Sequence, residues 1–218
     1  MPDSLKFPRI LHLPWSQGAS RDDLVLDSVD HLCGRPIRIT EKTDGSNLTM
    51  TRNEIFSRSH NGPPTHRSFD AAKALHAQIR DEILLGFSIF GEWLWAEHSI
   101  HYDHLPGFFL IFDVRDDKRG EWLEEGEIER IADVLGLPQV PVLCRGEFTP
   151  ESLRETCENL MAPGVGPSGD PMEGLVVRAC GSFTDFATNV AKQVRPNHVT
   201  TDQHWLRKRI VRNSLEEK

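Results

Sequence analysis

A short stretch, Glu41-Lys42-Thr43-Asp44-Gly45-Ser46-Asn47, contains residue types that could carry out covalent chemistry. Asp-Gly predicts a tight turn, because glycine accepts positive φ at no steric cost, and such a turn would hold the Lys42 amine at the rim of a sheet. An amine is nucleophilic only when uncharged, and the free pKa of lysine is about 10.4. Attack at neutral pH therefore needs nearby positive charge or a partly dry site. A lysine beside a turn is more commonly a solvated loop residue, so the rest of the chain must decide.

Four later stretches each place a charged residue or a single aromatic within an apolar strand. They are Phe90-Gly91-Glu92-Trp93, Leu110-Ile111-Phe112-Asp113, Met172-Glu173-Gly174-Leu175-Val176-Val177 and Val190-Ala191-Lys192-Gln193-Val194. A buried carboxylate without a partner is costly, so Glu92 and Glu173 would need ligands or cations. Taken singly, each is more commonly an ordinary half-exposed strand residue.

The strands that must position these residues follow from the spacing of apolar side chains. Ile37 and Ile39 alternate with Arg38 and Thr40, which predicts a strand leading into Lys42. Further strands are predicted over residues 48–50, 55–58, 87–95, 108–114, 140–143, 173–178 and 189–194.

Helices are predicted where apolar residues recur every three or four positions between end signals. Ser68 would cap a helix whose apolar face runs from Phe69 to Ile83, and others would span 124–135 and start at Thr149-Pro150. A last helix would begin at Thr200 or Thr201 and include Ile210. We therefore expect an α+β fold with largely antiparallel sheets flanked by helices.

Length, charge and composition narrow the class of protein. The 218 residues fit a single domain, 196–218 being a basic C-terminal helical extension. The net charge of −8 argues against a protein that coats nucleic acid through its overall field, although a local basic groove is compatible with it. The cluster from Arg207 to Arg212 is either a solvated helix face or a phosphate-contacting patch.

The lack of a targeting signal in the sequence and the spacing of its cysteines predict a cytoplasmic protein. No apolar run approaches the roughly 18 residues of a membrane span, and Met1 to Arg9 lack the apolar core of a signal peptide. The four cysteines show no Cys-x-x-Cys spacing and are expected to be reduced. His98, His101 and His104 are spaced by three, but without an accompanying cysteine they are a weak zinc candidate.

Taken in order, these stretches resemble the covalent nucleotidyltransferase superfamily of ATP-dependent RNA and DNA ligases and mRNA capping enzymes. The nearest resemblance is to the RNA ligase family. It is carried by Glu41-Lys42, by Gly45-Ser46-Asn47 and by the run from Val190 to Val199 that leads to His204-Trp205, and it covers roughly residues 7–206. The resemblance implies a nucleotidyltransferase fold, that of ATP-grasp-like ligase adenylation domains.

The same resemblance implies a reaction. Lys42 would attack the α-phosphorus of ATP, release pyrophosphate and form a lysyl–AMP phosphoramidate. The AMP would pass to the 5′-phosphate of an RNA strand, and a 3′-hydroxyl would then displace it and seal the strands. DNA ligase core, mRNA guanylyltransferase and, in a different class, a non-catalytic nucleotide- or RNA-end-binding module stay open as alternatives.

The resemblance also implies a role for each candidate residue. Lys42 would be the nucleophile, Glu92 would hold the ribose hydroxyls, Phe112 would stack on adenine, and Glu41 would lie near the adenine edge. Arg58 would approach the ribose and phosphates. Lys192 would contact the α-phosphate and depress the pKa of Lys42, Glu173 would lie at the metal, and Asn47 would orient metal-bound water. The expected ion is Mg²⁺ or Mn²⁺.

Two features depart from the family pattern. Many relatives carry Lys-x-Lys at the late site, whereas here Val190 and Val194 flank Lys192 at two residues on either side. Arg195 would point to the opposite face of a strand, so one lysine suffices or another residue supplies the second charge. The chain also ends soon after Val194, so we expect no oligonucleotide-binding barrel, and a partner protein or domain is a candidate for gripping the RNA.

Overall fold

The computed structural model describes residues 6–59, 62–196 and 210–216, which contain three α-helices and ten β-strands. The helices are α1 (Asp70–Ile79), α2 (Glu125–Leu135) and α3 (Pro150–Met161). The strands are β1 (Leu11–His12), β2 (Ile37–Lys42), β3 (Ser46–Met50), β4 (Ile55–Ser57), β5 (Phe87–Trp93), β6 (Phe109–Asp116), β7 (Glu121–Trp122), β8 (Val142–Gly146), β9 (Gly174–Ala179) and β10 (Val190–Val194).

The strands form two five-stranded sheets that are joined at the predicted turn. The first sheet has the order β1-β10-β9-β2-β8 and the second the order β4-β3-β5-β6-β7. Every pair is antiparallel except β1 with β10, which is parallel. Since β2 ends at Lys42 and β3 begins at Ser46, the Asp-Gly step connects two sheets rather than the strands of one hairpin.

Helices cover one face of each sheet, which confirms the α+β expectation. Leu48, Ile89 and Val114 of the second sheet share a core with Ala72 of α1 and Ile128 of α2. The first sheet packs against α3, with Ile37, Ile39 and Val177 contacting a core that includes Leu153 and Cys157. Helices on the outer faces leave the inner faces of both sheets free to line a common cavity.

The end signals of the second and third helices are confirmed, whereas the predicted cap and extent of the first are wrong. α2 stops at Gly136, whose φ of 62° is left-handed, and Thr149 caps α3 with Pro150 in its first turn. Ser68 lies inside a short 3₁₀ turn and caps nothing; its own backbone N–H donates to the His66 ring at 3.3 Å. The chain leaves the helix after Ile79, although Ile83 is still buried.

The last predicted helix falls mostly outside the described residues, and its described end is not helical. Residues 210–216 are extended and bridge to the loop after β5, at Ala96 and at Leu105. The backbone is paired with this loop: Asn213 N donates to Trp95 O at 3.1 Å and Ser214 N to Tyr102 O at 2.9 Å, so neither N–H is used in a helical hydrogen bond. The buried Asn213 side chain adds to the pairing, because its amide donates to Leu94 O at 2.8 Å and its carbonyl accepts from Tyr102 N at 3.0 Å. No helix in the described ranges is long and apolar enough to cross a membrane.

Candidate active site

A cavity of about 930 Å³ lies between the inner faces of the two sheets. The structure brings the predicted site residues together around it, and the role of each stays a prediction. Its walls include Glu41, Lys42, Asn47, Arg58, Glu92, Phe112 and Lys192. Glu173 reaches the same place through its contact with the Lys42 amine.

The Lys42 amine is held by carboxylates. Its Nζ donates to Glu173 Oε2 at 2.5 Å, and the two side chains are 25% and 7% exposed. Burial lowers the pKa of Lys42, but the carboxylates of Glu173 and Glu92 outweigh burial and raise it above its ordinary value. The net pKa of Lys42 is therefore raised in this arrangement, and the repulsion expected from Lys192 does not determine its direction.

The turn after Lys42 is fixed by hydrogen bonds on both sides. The Asp44 carboxylate accepts from Ser99 N at 2.7 Å and from Ile100 N at 3.1 Å, while Asp44 N donates to the Tyr102 hydroxyl at 2.9 Å. Sequence reasoning missed this anchor, although Tyr102 is the only tyrosine in the chain. The connection between the sheets is thus a rigid support for Lys42.

Gly45 is required by close packing rather than by a positive φ. A Cβ at this position would lie 2.6 Å from Trp93 O and 2.7 Å from Leu94 Cδ2. Its backbone N–H donates to Glu92 Oε1 at 3.0 Å. Gly45 is absent from the glycines with positive φ, so the sequence identified the right residue for the wrong reason.

Glu92 is half-buried on β5 and close to the nucleophile. Burial raises the pKa of Glu92 to about 8; the neighbouring Lys42 amine opposes this shift, and Glu173 and Asp44 add to it. Near neutral pH the group can therefore both donate and accept a hydrogen bond. This property suits a side chain that is expected to contact ribose hydroxyls.

An apolar wall lies at the other end of the cavity. Phe112 is half-buried there and packs with Val176 and the buried Val190. The Phe7 ring packs edge-on against the Phe112 ring, with 4.9 Å between the ring centroids. Arg38 donates to Phe112 O at 2.7 Å, which fixes the backbone that carries the ring. A flat apolar surface of this kind suits a purine base. Phe7 was missed because the first thirty residues show no periodicity.

Glu41 is buried beneath the loop that follows α3. It is 3% exposed, and a Cβ on Gly166 of that loop would lie 2.5 Å from its Oε2. Burial and the nearby Asp170 carboxylate raise the pKa of Glu41 to about 7. The side chain lines the cavity, but its expected position at the adenine edge stays a prediction.

The cationic side of the cavity contains Lys192 and Arg58. Burial and the Lys42 charge lower the pKa of Lys192, and Arg58 acts in the same direction. Val190 is buried in an aromatic cluster with Phe90, Trp122 and Phe186, so the position two residues before Lys192 supplies no charge.

The oxygen donors beside Lys42 fit a hard divalent cation. Glu173 offers a carboxylate, and the Asn47 Oδ1 is buried without a hydrogen-bond partner while Asn47 lines the cavity. Mg²⁺ is commonly bound through one or two protein oxygens, several waters and substrate phosphates. Within the described ranges, no three His, Cys, Asp or Glu side chains converge on a common point.

Two of the three histidines considered for zinc, His98 and His101, have separate partners. His98 Nε2 lies 3.3 Å from Ser46 Oγ, whereas His101 contacts Glu97 at 2.9 Å and Asp103 at 3.2 Å. They therefore do not form a zinc centre among the residues that the structure describes.

Comparisons with solved structures establish the fold. A Naegleria gruberi RNA ligase variant with ATP and manganese has a TM-score of 0.54 at 19% identity, over 77% of this chain and 52% of that one. The same ligase with pyrophosphate gives 0.54 at 19%, covering 87% and 57%. An archaeal ATP-dependent RNA ligase gives 0.54 at 16%, covering 87% and 48%. The chain thus spans about half the length of these structures.

Sequence comparison identifies the family. No curated protein matches the chain. The RNA ligase family model, in contrast, matches residues 35–194, which run from two residues before β2 to the end of β10 and include the cavity residues supplied by both sheets. The chain therefore belongs to the RNA ligase family.

Proposed function

We propose that this chain is the adenylyltransferase domain of an ATP-dependent RNA ligase with Lys42 as its nucleophile. The observation that carries the proposal is the Lys42 amine. It lies in a cavity between two sheets, paired with Glu173, close to Glu92 and within electrostatic range of Lys192. The apolar wall at Phe112 offers a place for the base in the same cavity.

In the first step the Lys42 Nζ forms a bond to the α-phosphorus of ATP while the bond from that phosphorus to the pyrophosphate oxygen breaks. The amine must lose a proton before it attacks, and the Glu173 carboxylate at 2.5 Å is placed to accept it. Lys192 and Arg58 would stabilise the charge on the transferring phosphoryl group. Mg²⁺ or Mn²⁺, held through Glu173 and Asn47, would supply further neutralisation of the phosphates.

In the later steps the phosphoramidate bond breaks as an RNA 5′-phosphate oxygen attacks the same phosphorus. A 3′-hydroxyl then attacks the RNA 5′-phosphorus, loses its proton and releases AMP. We assign RNA rather than DNA ends because the chain matches the RNA ligase family, which does not favour the DNA ligase or guanylyltransferase alternatives. A further domain or a partner protein would grip the RNA, and a cytoplasmic location stays a prediction.

The experiment that tests this function is incubation with α-labelled ATP or GTP and magnesium, followed by denaturing electrophoresis. Wild-type protein stripped of nucleotide should give an acid-labile labelled band with ATP only. Lys42→Ala should abolish the band, and the surface variant Lys73→Ala on α1 should retain it. A band with GTP alone would indicate guanylyl transfer, and no band with either nucleotide would favour a binding module.

A further inference from the structure

We infer that Arg9, on the N-terminal arm (residues 6–26), binds the pyrophosphate leaving group of ATP. The arm forms one wall of the cavity, to which it contributes Phe7, Arg9 and Asp23. This inference rests on the proposed adenylyl transfer and assigns a phosphate-binding residue outside the stretch that matches the family model.

The arm is fixed to the strand that carries Lys192. Leu13 N donates to Lys192 O at 2.7 Å, and Val194 N donates to Ser16 Oγ at 3.0 Å. Gly18 packs so closely on β10 that a Cβ there would lie 2.5 Å from Arg195 O. Arg9 and Lys192 therefore have a defined spatial relationship, although 183 positions separate them in sequence.

The Arg9 guanidinium is oriented but accessible. Its Nη2 donates to Asp22 O at 2.6 Å and to Asp23 Oδ1 at 3.0 Å, and the side chain is 48% exposed. Both bonds use one nitrogen, and a guanidinium has further donors that match phosphate oxygens. The Asp23 carboxylate is shared with Ser20, whose N and Oγ donate to its Oδ2. The salt bridge thus holds the guanidinium in place without using all of its donors.

The triphosphate of ATP carries several negative charges, and β10 supplies only Lys192 to balance them. Val190 is apolar, and two other arginines at the cavity are engaged elsewhere. Arg178 pairs with Asp113 at 2.8 Å, and Arg38 donates to Phe112 O and lies 3.8 Å from Glu125. Arg9 is a half-exposed guanidinium on the same cavity, so it can supply a further positive charge beside Lys192 and Arg58.

Arg9 is also near the charged groups that are expected to hold the transferring phosphate. Lys192 interacts electrostatically with the Lys42 amine and also with the Asp23 carboxylate to which Arg9 is bonded. Arg9 therefore lines the same cavity as Lys42 and Lys192, where its guanidinium can contact a pyrophosphate group.

The test compares Arg9→Ala and Arg9→Lys with Arg21→Ala, a control that removes an exposed arginine from the same arm without touching the cavity. Removing a charged hydrogen bond should lower the rate of adduct formation at subsaturating ATP at least about tenfold in Arg9→Ala. Pyrophosphate-driven reversal, in which the AMP group of preformed adduct is transferred to pyrophosphate and ATP is regenerated, should slow equally. Arg9→Lys should be intermediate, and Arg21→Ala should match wild type.

Affinity for AMP, which has no leaving group, separates a phosphate contact from a general structural role. Calorimetry should show AMP binding unchanged in Arg9→Ala, and pyrophosphate binding weakened about tenfold or more. Equal losses for AMP and pyrophosphate, or an unchanged rate of adduct formation, would overturn the inference. Absence of adduct in wild type would instead refute the proposed function, and pyrophosphate binding would still report on Arg9.

Discussion

At the scale of single residues, the nucleophile is surrounded by carboxylates as well as cations. Lys42 is paired with Glu173 and has a raised pKa, so it is protonated in the arrangement that the structure shows. Charged Lys42 cannot attack phosphorus, and catalysis therefore depends on moving its proton. This dependence makes Glu173 the residue whose replacement is most informative.

Glu173→Gln should slow adduct formation by about 10²-fold or more, because the proton acceptor is removed. The same change removes the carboxylate that contributes most to stabilising the Lys42 ammonium. The pKa of Lys42 should therefore fall, and the residual rate should reach its plateau at a lower pH. A pH–rate profile measures both effects. The exposed α3 variant Glu155→Gln is the matched control, and an unshifted profile in Glu173→Gln would contradict the assignment.

Glu41 should make stability depend on pH. Its pKa rises from 4.5 to about 7 on folding, so the folded state binds more protons and stability is lost as pH increases across that window. The loss should be on the order of 3 kcal/mol. Glu41→Gln stays neutral, so its free energy of unfolding should exceed that of wild type by a growing margin between pH 4.5 and 8 in urea titrations. A margin independent of pH, as expected for Glu155→Gln, would be evidence against this account.

At the scale of elements, the connection from β2 to β3 must be narrow. Gly45→Ala would force Trp93 O or the turn to move, which should cost about 1–3 kcal/mol and displace Lys42. Thermal unfolding and the adduct assay should both show the defect. Gly181→Ala is a suitable control, since its added Cβ meets nothing within 4 Å and its φ is ordinary; similar losses in the two variants would exclude a specific role for the turn.

The limits of sequence reasoning are clearest in these elements. Local signals such as Gly136 after α2 and Thr149-Pro150 before α3 act within a few residues, so they were read correctly. Ser68 failed because a cap depends on backbone geometry that its side chain does not determine. The pairing of Lys42 with Glu173 joins residues 131 positions apart, and only the folded sheets reveal which charge is nearest.

At the scale of the whole molecule, distant ends of the chain support one cavity. The N-terminal arm forms a wall beside Lys192, while residues 210–216 bind the loop whose Tyr102 and Ser99 hold Asp44. The arm shows no periodicity, and the C-terminal segment was assigned to the predicted last helix, so sequence reasoning missed both roles. The net charge of −8 likewise conceals the basic groups that the fold gathers around the cavity.

Asn213→Ala should test the C-terminal contribution. The substitution leaves Leu94 O and Tyr102 N without the partners they have now, at a cost of about 1–3 kcal/mol for each buried group. Stability and adduct formation should both fall, because the loop that supports Asp44 loosens. Val211→Ala, at an exposed position in the same segment, should behave as wild type. Normal adduct formation in Asn213→Ala would show that the segment does not act on the site.

The connection between the sheets also has a mechanical consequence. Lys42 is the last residue of one sheet and Ser46 the first of the other, so three residues couple the two walls of the cavity. Any change in the angle between those walls also changes the line along which the amine approaches. Closure of the cavity around a bound nucleotide and orientation of the Lys42 amine would then be a single movement. A ligand that binds without closing the cavity would leave the amine misaligned.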